Sequence, residues 1–356
     1  MTADATQSAC GVYVHIPYCR RRCRYCDFAI VPIGTKTNIE GRDRSEPVDG
    51  NDGPDVDRAT AGFLQMDASY REALLREIET AVVPDADSCT KRRIRSVYFG
   101  GGTPSLAPLE TLQSSLLAIR DGFDVLPDAE ITIEMDPGTF SIDKLRQLRD
   151  CGFNRISLGV QSFNDTVLEH IGRVHRSNDV HKSVAMIAEV FGEDDNGPDH
   201  HRTANYSIDL ISGLPAVSLA LWADTLEVAV SLTPRPSHVS VYDLQIESGT
   251  VFGKWYDQHD EQDDTTDDRF PSTTSFTSST PVSLPSNTRP HLPGADDCAF
   301  MYKFASGYLR ARGYEHYEIS SYALPGRRSK HNQIYWEPTA EWYGKSYFHL
   351  FGREYE

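Results

Sequence analysis

Short β-branched and aromatic runs alternate with longer amphipathic stretches six times along this chain, and few folds satisfy such a pattern. The runs are 12–16 (VYVHI), 95–99 (RSVYF), 130–134 (EITIE), 154–158 (NRISL), 206–211 (YSIDLI) and 238–242 (HVSVY). Helical periodicity marks 67–83, 108–120, 141–150, 164–171 with 178–191, and 218–232. The last of these, SLALWADTLEVAVSL, keeps apolar residues three and four apart. A further helix is expected at about 298–312, followed by a run at 314–319. Repeated strand–helix units imply parallel strands with helical crossovers, hence a doubly wound sheet or a barrel. Barrel chemistry is built on loops at the C-terminal ends of the strands, and the unusual sequence of this chain collects in those loops.

The first such loop, CRRRCRYC, holds Cys19, Cys23 and Cys26 within eight positions. Free cysteine is often simply buried, but a basic, polar, Pro-bounded loop is a poor place for that. The flanking Arg20, Arg21, Arg22 and Arg24 are expected to lower the thiol pKa values and favour thiolates. Zinc is one reading, with His15 or Cys10 as fourth ligand, although zinc usually takes its ligands in two separated pairs. An iron–sulfur cluster is the other, and three thiolates on a four-iron cluster leave one iron open.

Later loops carry GGGTPS (100–105), Glu134 followed by MDPGT, GVQSF (159–163), and Asp209 leading to SGLP. Glycine and proline mark ordinary turns, but GGGTP also permits close backbone approach to a ligand, with free N–H and C=O groups facing it. Glu134 alone reads as a strand-end acid. Asp209 lies between Ile208 and Leu210, where an unpaired carboxylate is costly. In KHNQIYW (330–336), His331 lies beside Tyr335 and Trp336, an aromatic setting that suits a flat porphyrin.

Composition adds bounds. The 356 residues suffice for one large α/β domain or two ordinary ones. No apolar run approaches the roughly 18 residues of a membrane span. The first strand-like run begins within a dozen residues, leaving no room for a targeting peptide, so the cytoplasm is the expected location, with mitochondria the alternative if the start lies elsewhere. Seven cysteines at uneven spacing do not form a disulfide framework. The net charge of −17 is mostly local: 34–66, 193–202 and 257–299 carry −3, −3 and −7. These acidic, Ser/Thr/Pro- or Gly-rich segments are expected to be disordered insertions. The rest is nearly neutral, without a basic footprint for nucleic acid.

Taken in order, YVHIPYCRRRCRYCDF, GGGTPS, EMDPGT, GFNRISLGVQSF, GRVH, SIDLISGLP and YEISSYALPG…HNQIYW resemble the HemW family. These are radical S-adenosylmethionine (SAM) proteins related to the oxygen-independent coproporphyrinogen oxidases. The resemblance covers about residues 11 to 344 and implies a partial (βα)6 TIM-like radical SAM barrel. It implies that Cys19, Cys23 and Cys26 hold a [4Fe–4S] cluster whose fourth iron is chelated by SAM, and that an electron from the cluster can cleave SAM. Gly101, Gly102 and Thr103 would line its methionine end, and Tyr13, Tyr25, Glu134, Gln161, Arg173 and Asp209 would contact SAM. Phe28 stands where the oxidases carry a fourth cysteine, and their long N-terminal extension is absent here. Both features favour heme binding and delivery to apo-hemoproteins over porphyrinogen oxidation. His331 is then the candidate axial ligand, with Asn332, Tyr335 and Trp336 beside it. An electron donor is implied for SAM cleavage, and a homodimer is one assembly open to the chain. A coproporphyrinogen oxidase and a metal-stabilised interaction module are the alternative functions.

The expected organisation is a core at 11–250 interrupted at about 34–66 and 193–202, and a disordered insertion at 251–297. The end of the core with the heme motif follows at 298–344. After Tyr343-Gly344 the family continues with a glycine-rich strand-loop and a helical domain; here KSYFHLFGREYE follows, so the C-terminal domain is expected to be truncated and 345–356 to be an atypical tail.

Overall fold

Each strand of the central sheet alternates an apolar residue facing the helices with a polar one facing away from them. In β1 (Cys10–Ile16), Val12, Val14 and Ile16 are buried, while Tyr13 and His15 occupy the other face. In β2 (Arg93–Gly101) the sets are Val97 and Phe99 against Ser96 and Tyr98. In β3 (Asp124–Met135) they are Ile131, Ile133 and Met135 against Glu130, Thr132 and Glu134. In β4 (Arg155–Gln161), Ile156, Leu158 and Val160 oppose Arg155, Ser157 and Gln161. β5 (Tyr206–Ser212) sets Ile208 and Leu210 against Ser207 and Asp209, and β6 (His238–Asp243) sets Val239 and Val241 against His238 and Ser240. A packed TIM barrel fills its interior with branched apolar side chains. This sheet gives its inner face to hydroxyls, carboxylates and a guanidinium, as a polar ligand requires.

A computed structural model of the chain describes residues 10–35, 54–82, 91–194, 202–256, 289–337, 341–344 and 348–352. β1 to β6 lie side by side in chain order, each pair parallel. Antiparallel strands extend both edges. β8 (Ser321–Ala323) pairs with β6 and with β7 (Glu315–Glu318), and β10 (Phe348–Gly352) pairs with β1 and with β9 (Glu341–Gly344). The ten-stranded sheet begins at β7 and ends at β9 without closing. The fold is therefore the expected incomplete barrel of six βα units. No described helix is long and apolar enough to cross a membrane.

The crossover helices are Leu109–Gly122, Ile142–Cys151, Asp165–His170 with Ser177–Phe191, and Leu219–Ser231. Leu112, Leu116, Leu145, Leu148, Val184, Ile187, Trp222 and Leu226 join the strand valines and isoleucines in one core. Each such side chain contributes roughly 1.5–3 kcal/mol by leaving water. Local caps set the helix starts: Ser141, Asn164 and Ser218 accept from the amides of Lys144, Val167 and Leu221. At the far end of Ile142–Cys151, Gly152 takes φ 103°, the left-handed conformation that a helix stop favours.

Several boundaries require correction. Residues 54–66, expected within a disordered insertion, open the helix Pro54–Ala81. Phe63 packs edge-on against Tyr18 (centroids 5.0 Å apart), Tyr70 donates to the His15 carbonyl, and Thr111 donates to Asp67 at 2.6 Å. Those anchors outweigh the polar composition of the first turns. Residues 251–256 form a helix, Val251–Tyr256, not part of an insertion. Residues 295–297 open the helix Ala295–Ala311, where Asp296 and Asp297 favour the positive end of the helix dipole. The edges of the 193–202 segment pair as Gly192–Asp194 and Arg202–Ala204. The tail, expected to be atypical, supplies β10 through 348–352. Residues 36–53, 195–201 and 257–288 of the three acidic segments lie outside the described residues.

Candidate functional site

The cysteine loop leaves β1 through the two-residue strand Tyr18–Cys19, which pairs with Val31–Pro32. Its arginines work as crosslinks. Arg21 donates to the carbonyls of Gly172 (2.7 Å) and Arg173 (2.5 Å), and Arg24 donates to that of His170 at 2.7 Å. Arg22 reaches the carbonyls of Cys26, Phe28 and Ile30, and Arg20 that of Gly34. The expectation that these cations depress the thiol pKa values holds only for Arg22 on Cys26, where burial outweighs it. Burial pushes Cys19 up to about 12, and Cys26 is also raised, chiefly by burial. The guanidiniums are spent on carbonyls, so thiolate formation falls to whatever metal the sulfurs bind.

All three cysteines are partly exposed. Cys19 Sγ lies 3.7 Å from Thr103 Oγ1, and Arg173 donates to Cys23 Sγ at 3.8 Å. Thr103 in turn donates to Asp136 Oδ2 at 3.0 Å, and Arg173 forms an ion pair with Asp136. Half-buried Tyr25 lies among Cys23, Arg173, Asp136 and Cys26, and desolvation raises its phenol well above its usual value. These contacts join the C-terminal ends of β1, β2, β3 and β4 around one loop. Neither Cys10 nor His15 stands as a fourth donor: Cys10 is buried at the start of β1, and His15 Nε2 is 2.8 Å from the Ala29 carbonyl. Among the described residues, no three His, Cys, Asp or Glu side chains lie close enough to share a single ion.

The GGGTP glycines answer to close packing. A Cβ at Gly102 would lie 2.6 Å from the Tyr18 carbonyl oxygen, and Gly101 takes φ 112° with the His15 ring beside it. The expected free N–H groups are occupied. Gly102 donates to the Ile16 carbonyl at 2.8 Å, Thr103 to that of Tyr18 at 2.6 Å, and Gly101 to Glu134 Oε2 at 3.1 Å. The turn therefore braces the cysteine loop and Glu134 instead of presenting bare donors.

Below the mouth, the polar face gathers Tyr13, Tyr98, Glu134 and Asp209. Tyr98 donates to Glu134 Oε1 at 2.7 Å and stacks on Tyr13 (6.1 Å, 14°). Burial lifts Glu134 to about 7, with the Asp209 charge adding to the effect. Asp209 accepts from Ser157 at 3.1 Å, and burial lifts it to about 6. Gln161 holds φ 65°, a left-handed conformation that costs a non-glycine residue about 1–3 kcal/mol and clusters at functional sites. A Cβ at Gly159 would fall within 2.9–3.2 Å of Asp136, Arg173 and Gln161 side-chain atoms, so glycine there keeps the three polar groups together.

The sequence reading did not single out Asp136 or Tyr98. Tyr98 was findable, because it lies two residues along β2 from Gly100 and so shares its face, whereas Asp136 follows the end of β3 and no strand pattern marks it. A separate cavity of about 520 Å³ opens at the N-terminal ends of β3 and β4, lined by Arg120, Asp124, Ile131 and Asn154 among others, and shares no residue with this site.

His331 is placed apart from the cysteines. It is 2% exposed and stacks on Tyr98 (4.7 Å, 24°). Its Nδ1 is 3.1 Å from Ser96 Oγ, and its Nε2 is 3.3 Å from the Tyr335 hydroxyl. Burial lowers its pKa to about 3, so the imidazole is neutral. Asn332 donates to Ser321 Oγ at 3.3 Å, whereas Tyr335 and Trp336 are 41% and 55% exposed.

The family model described as Radical SAM superfamily matches residues 13–197. A heme chaperone HemW of Synechocystis is 34% identical over 92% of this chain and 62% of its own length. That of Lactococcus lactis is 30% identical over 94% and 67%. A mitochondrial radical S-adenosyl methionine domain-containing protein 1 of Bos taurus is 30% identical over 94% and 59%. The chain thus spans about two thirds of the length of these relatives. The solved structure of Escherichia coli coproporphyrinogen III oxidase (HemN) superposes over 88% of this chain and 55% of its own, with TM-score 0.60 at 22% identity, a likeness of fold. Radical SAM membership implies a [4Fe–4S] cluster and SAM; Cys19, Cys23 and Cys26 would hold the cluster, which would supply an electron to bound SAM. The residues fit both groups, with three partly exposed thiols on one braced loop and a polar face beneath it bearing two carboxylates. The sequence match and the shared half-barrel together make this chain a member of the radical SAM superfamily, in its HemW-type branch.

Proposed function

We propose that this chain binds heme and passes it to an apo-hemoprotein, using a scaffold in which Cys19, Cys23 and Cys26 hold a [4Fe–4S] cluster. On this reading Gly101, Gly102, Thr103, Tyr13, Tyr25, Glu134, Gln161, Arg173 and Asp209 surround SAM. The observation that carries it is the exposed Tyr335–Trp336 pair at the end of helix Lys330–Ile334, in a chain about 30% identical to proteins named heme chaperones. Flat aromatic faces suit a macrocycle. His331 is the proposed axial donor through Nε2, which becomes available when the Tyr335 hydroxyl turns outward. Ser96, at Nδ1, would then orient the ring, as the partner of a ligating imidazole commonly does. Asn332 holds the helix against β8.

Coproporphyrinogen decarboxylation is not expected, since Phe28, 63% exposed, occupies the place of the oxidases' extra cysteine. SAM cleavage would need an external electron donor, and the cytoplasm is the proposed location. The test is anaerobic reconstitution with iron and sulfide, followed by SAM titration, heme titration and an assay with coproporphyrinogen III. Heme binding with an altered spectrum in His331→Ala supports the reading. Robust protoporphyrinogen formation would overturn it in favour of the oxidase, and absence of SAM affinity would favour a metal-stabilised interaction module.

A further inference from the structure

The segment that carries the heme motif also sits on the polar face of the sheet, directly beneath the carboxylates. Glu130 of β3 holds its start. Oε1 accepts from Ser329 Oγ (3.0 Å) and His331 N (3.2 Å), and Oε2 accepts from Lys330 N (3.1 Å). Arg155 lies 3.6 Å from the same carboxylate, and Lys330 Nζ reaches Asp128 at 2.7 Å. A short helix anchored by three donors on one buried carboxylate is fixed in place. Its His331 ring therefore bears on Tyr98 as a rigid surface.

Tyr98 is the link. Its ring stacks on His331 at 4.7 Å and more loosely on Tyr13 at 6.1 Å, so His331 is the nearer packing partner, and its hydroxyl donates to Glu134 Oε1. Glu134 has two described donors, this hydroxyl and the Gly101 amide. A phenol can tilt about its own side-chain torsions unless something packs against it, and any tilt would move the hydroxyl away from Oε1. We propose that His331 is a positioning residue for the SAM site: its ring fixes Tyr98, whose hydroxyl orients Glu134 toward the polar groups of SAM. The role uses the stacked, buried imidazole and no iron. It rests on the reading of Glu134 as a SAM contact.

The experiment measures SAM affinity by equilibrium titration of the reconstituted full chain, with iron content and melting temperature determined for each variant. Tyr98→Phe keeps the stack and removes the hydroxyl, so affinity should fall about tenfold, the usual effect of one hydrogen bond to a charged group. His331→Ala should produce a similar fall, and the double variant should fall no further, because both act through one contact. His331→Phe retains a stacking ring and should restore affinity to within about threefold of the wild type while abolishing any imidazole–iron heme signature. A purely structural role for His331 would lower melting temperature without this pattern.

The proposal is overturned if Glu134→Gln weakens SAM binding while Tyr98→Phe leaves it unchanged. It is also overturned if His331→Ala, loaded with iron, binds SAM normally. If Glu134→Gln itself has no effect, the SAM-site reading fails and the proposal fails with it. Should His331→Ala not load iron, Tyr98→Phe against His331→Phe makes the same comparison.

Discussion

Asp136 and Arg173 form an ion pair that stands between two of the three cysteines. One carboxylate oxygen meets the guanidinium that reaches Cys23, and the other accepts from the Thr103 hydroxyl beside Cys19. Arg173 also donates to the Gly159 carbonyl at 2.6 Å, so the pair ties β3 and β4 to the cysteine loop. Removing Asp136 leaves the nearly buried Arg173 charge without its partner, at a cost below the roughly 3–5 kcal/mol of a fully buried pair because Asp136 is only half-buried. Asp136→Asn is therefore expected to reduce iron bound per chain after reconstitution and to lower the melting temperature. Wild-type iron content in that variant would show the pair to be dispensable for the loop.

Replacing Cys19, Cys23 or Cys26 by Ala should remove the visible absorption of the cluster. Cys298→Ala should not, since that thiol lies near the Pro293 carbonyl and away from the loop. Elemental analysis of anaerobically purified protein separates the two metal readings: iron and sulfide in near-equal amounts for a cluster, stoichiometric zinc for the rival.

Glu134 titrates near 7 and Asp209 near 6, both raised by burial. A carboxyl whose folded pKa exceeds its unfolded one binds its proton more tightly in the fold. Its contribution to stability is complete below the unfolded pKa of about 4 and is lost as pH rises through 6 to 7. Tyr98 and the Gly101 amide face Glu134 as donors, while buried His170, His175, His238 and His331, whose pKa values are lowered, act in the opposite sense because their unfolded forms take up protons below about 6.5. The share of Glu134 is therefore read as a difference: the melting temperature of the ligand-free wild type minus that of Glu134→Gln should fall between about pH 4 and 7. A constant difference in thermal melts would contradict the assignment.

Replacing 260–286 with a short Gly/Ser linker should leave the core folded. The flanking residues already meet, with Tyr256 donating to the Pro290 carbonyl at 2.7 Å and Arg289 4.3 Å over the Tyr256 ring. Retained circular dichroism and cooperative melting would confirm it; loss of cooperativity would place a structural element inside the deleted stretch.

The strands were legible because alternation is a local signal: 206–211 and 238–242 were read within a residue of their observed ends. The same signal placed Glu134 and Asp209 on one face. Asp136 went unread because its importance comes from Arg173, a partner that only the fold brings near. The arginines of the cysteine loop were misread for a related reason. Sequence shows their charge beside the thiols but not the direction of the side chains, which run to the carbonyls of Gly172, His170 and Phe28. The start of helix Pro54–Ala81 was hidden because composition averaged over 34–66 masks the single aromatic, Phe63, that docks it. β8 and β10 are too short for periodicity to register.

The pairing of β10 with β1 sets Gly11 against Phe351 and Val14 against Phe348. The strand that leads into the cysteine loop is made more than 330 residues before one of its two neighbours. At about 5–20 residues per second, that separation is roughly 17–70 seconds of synthesis. During this interval one edge of β1 offers unpaired backbone groups next to three thiols. Trimming the chain before 348 would make that interval permanent, turning a passing stage of biogenesis into a lasting adhesive edge.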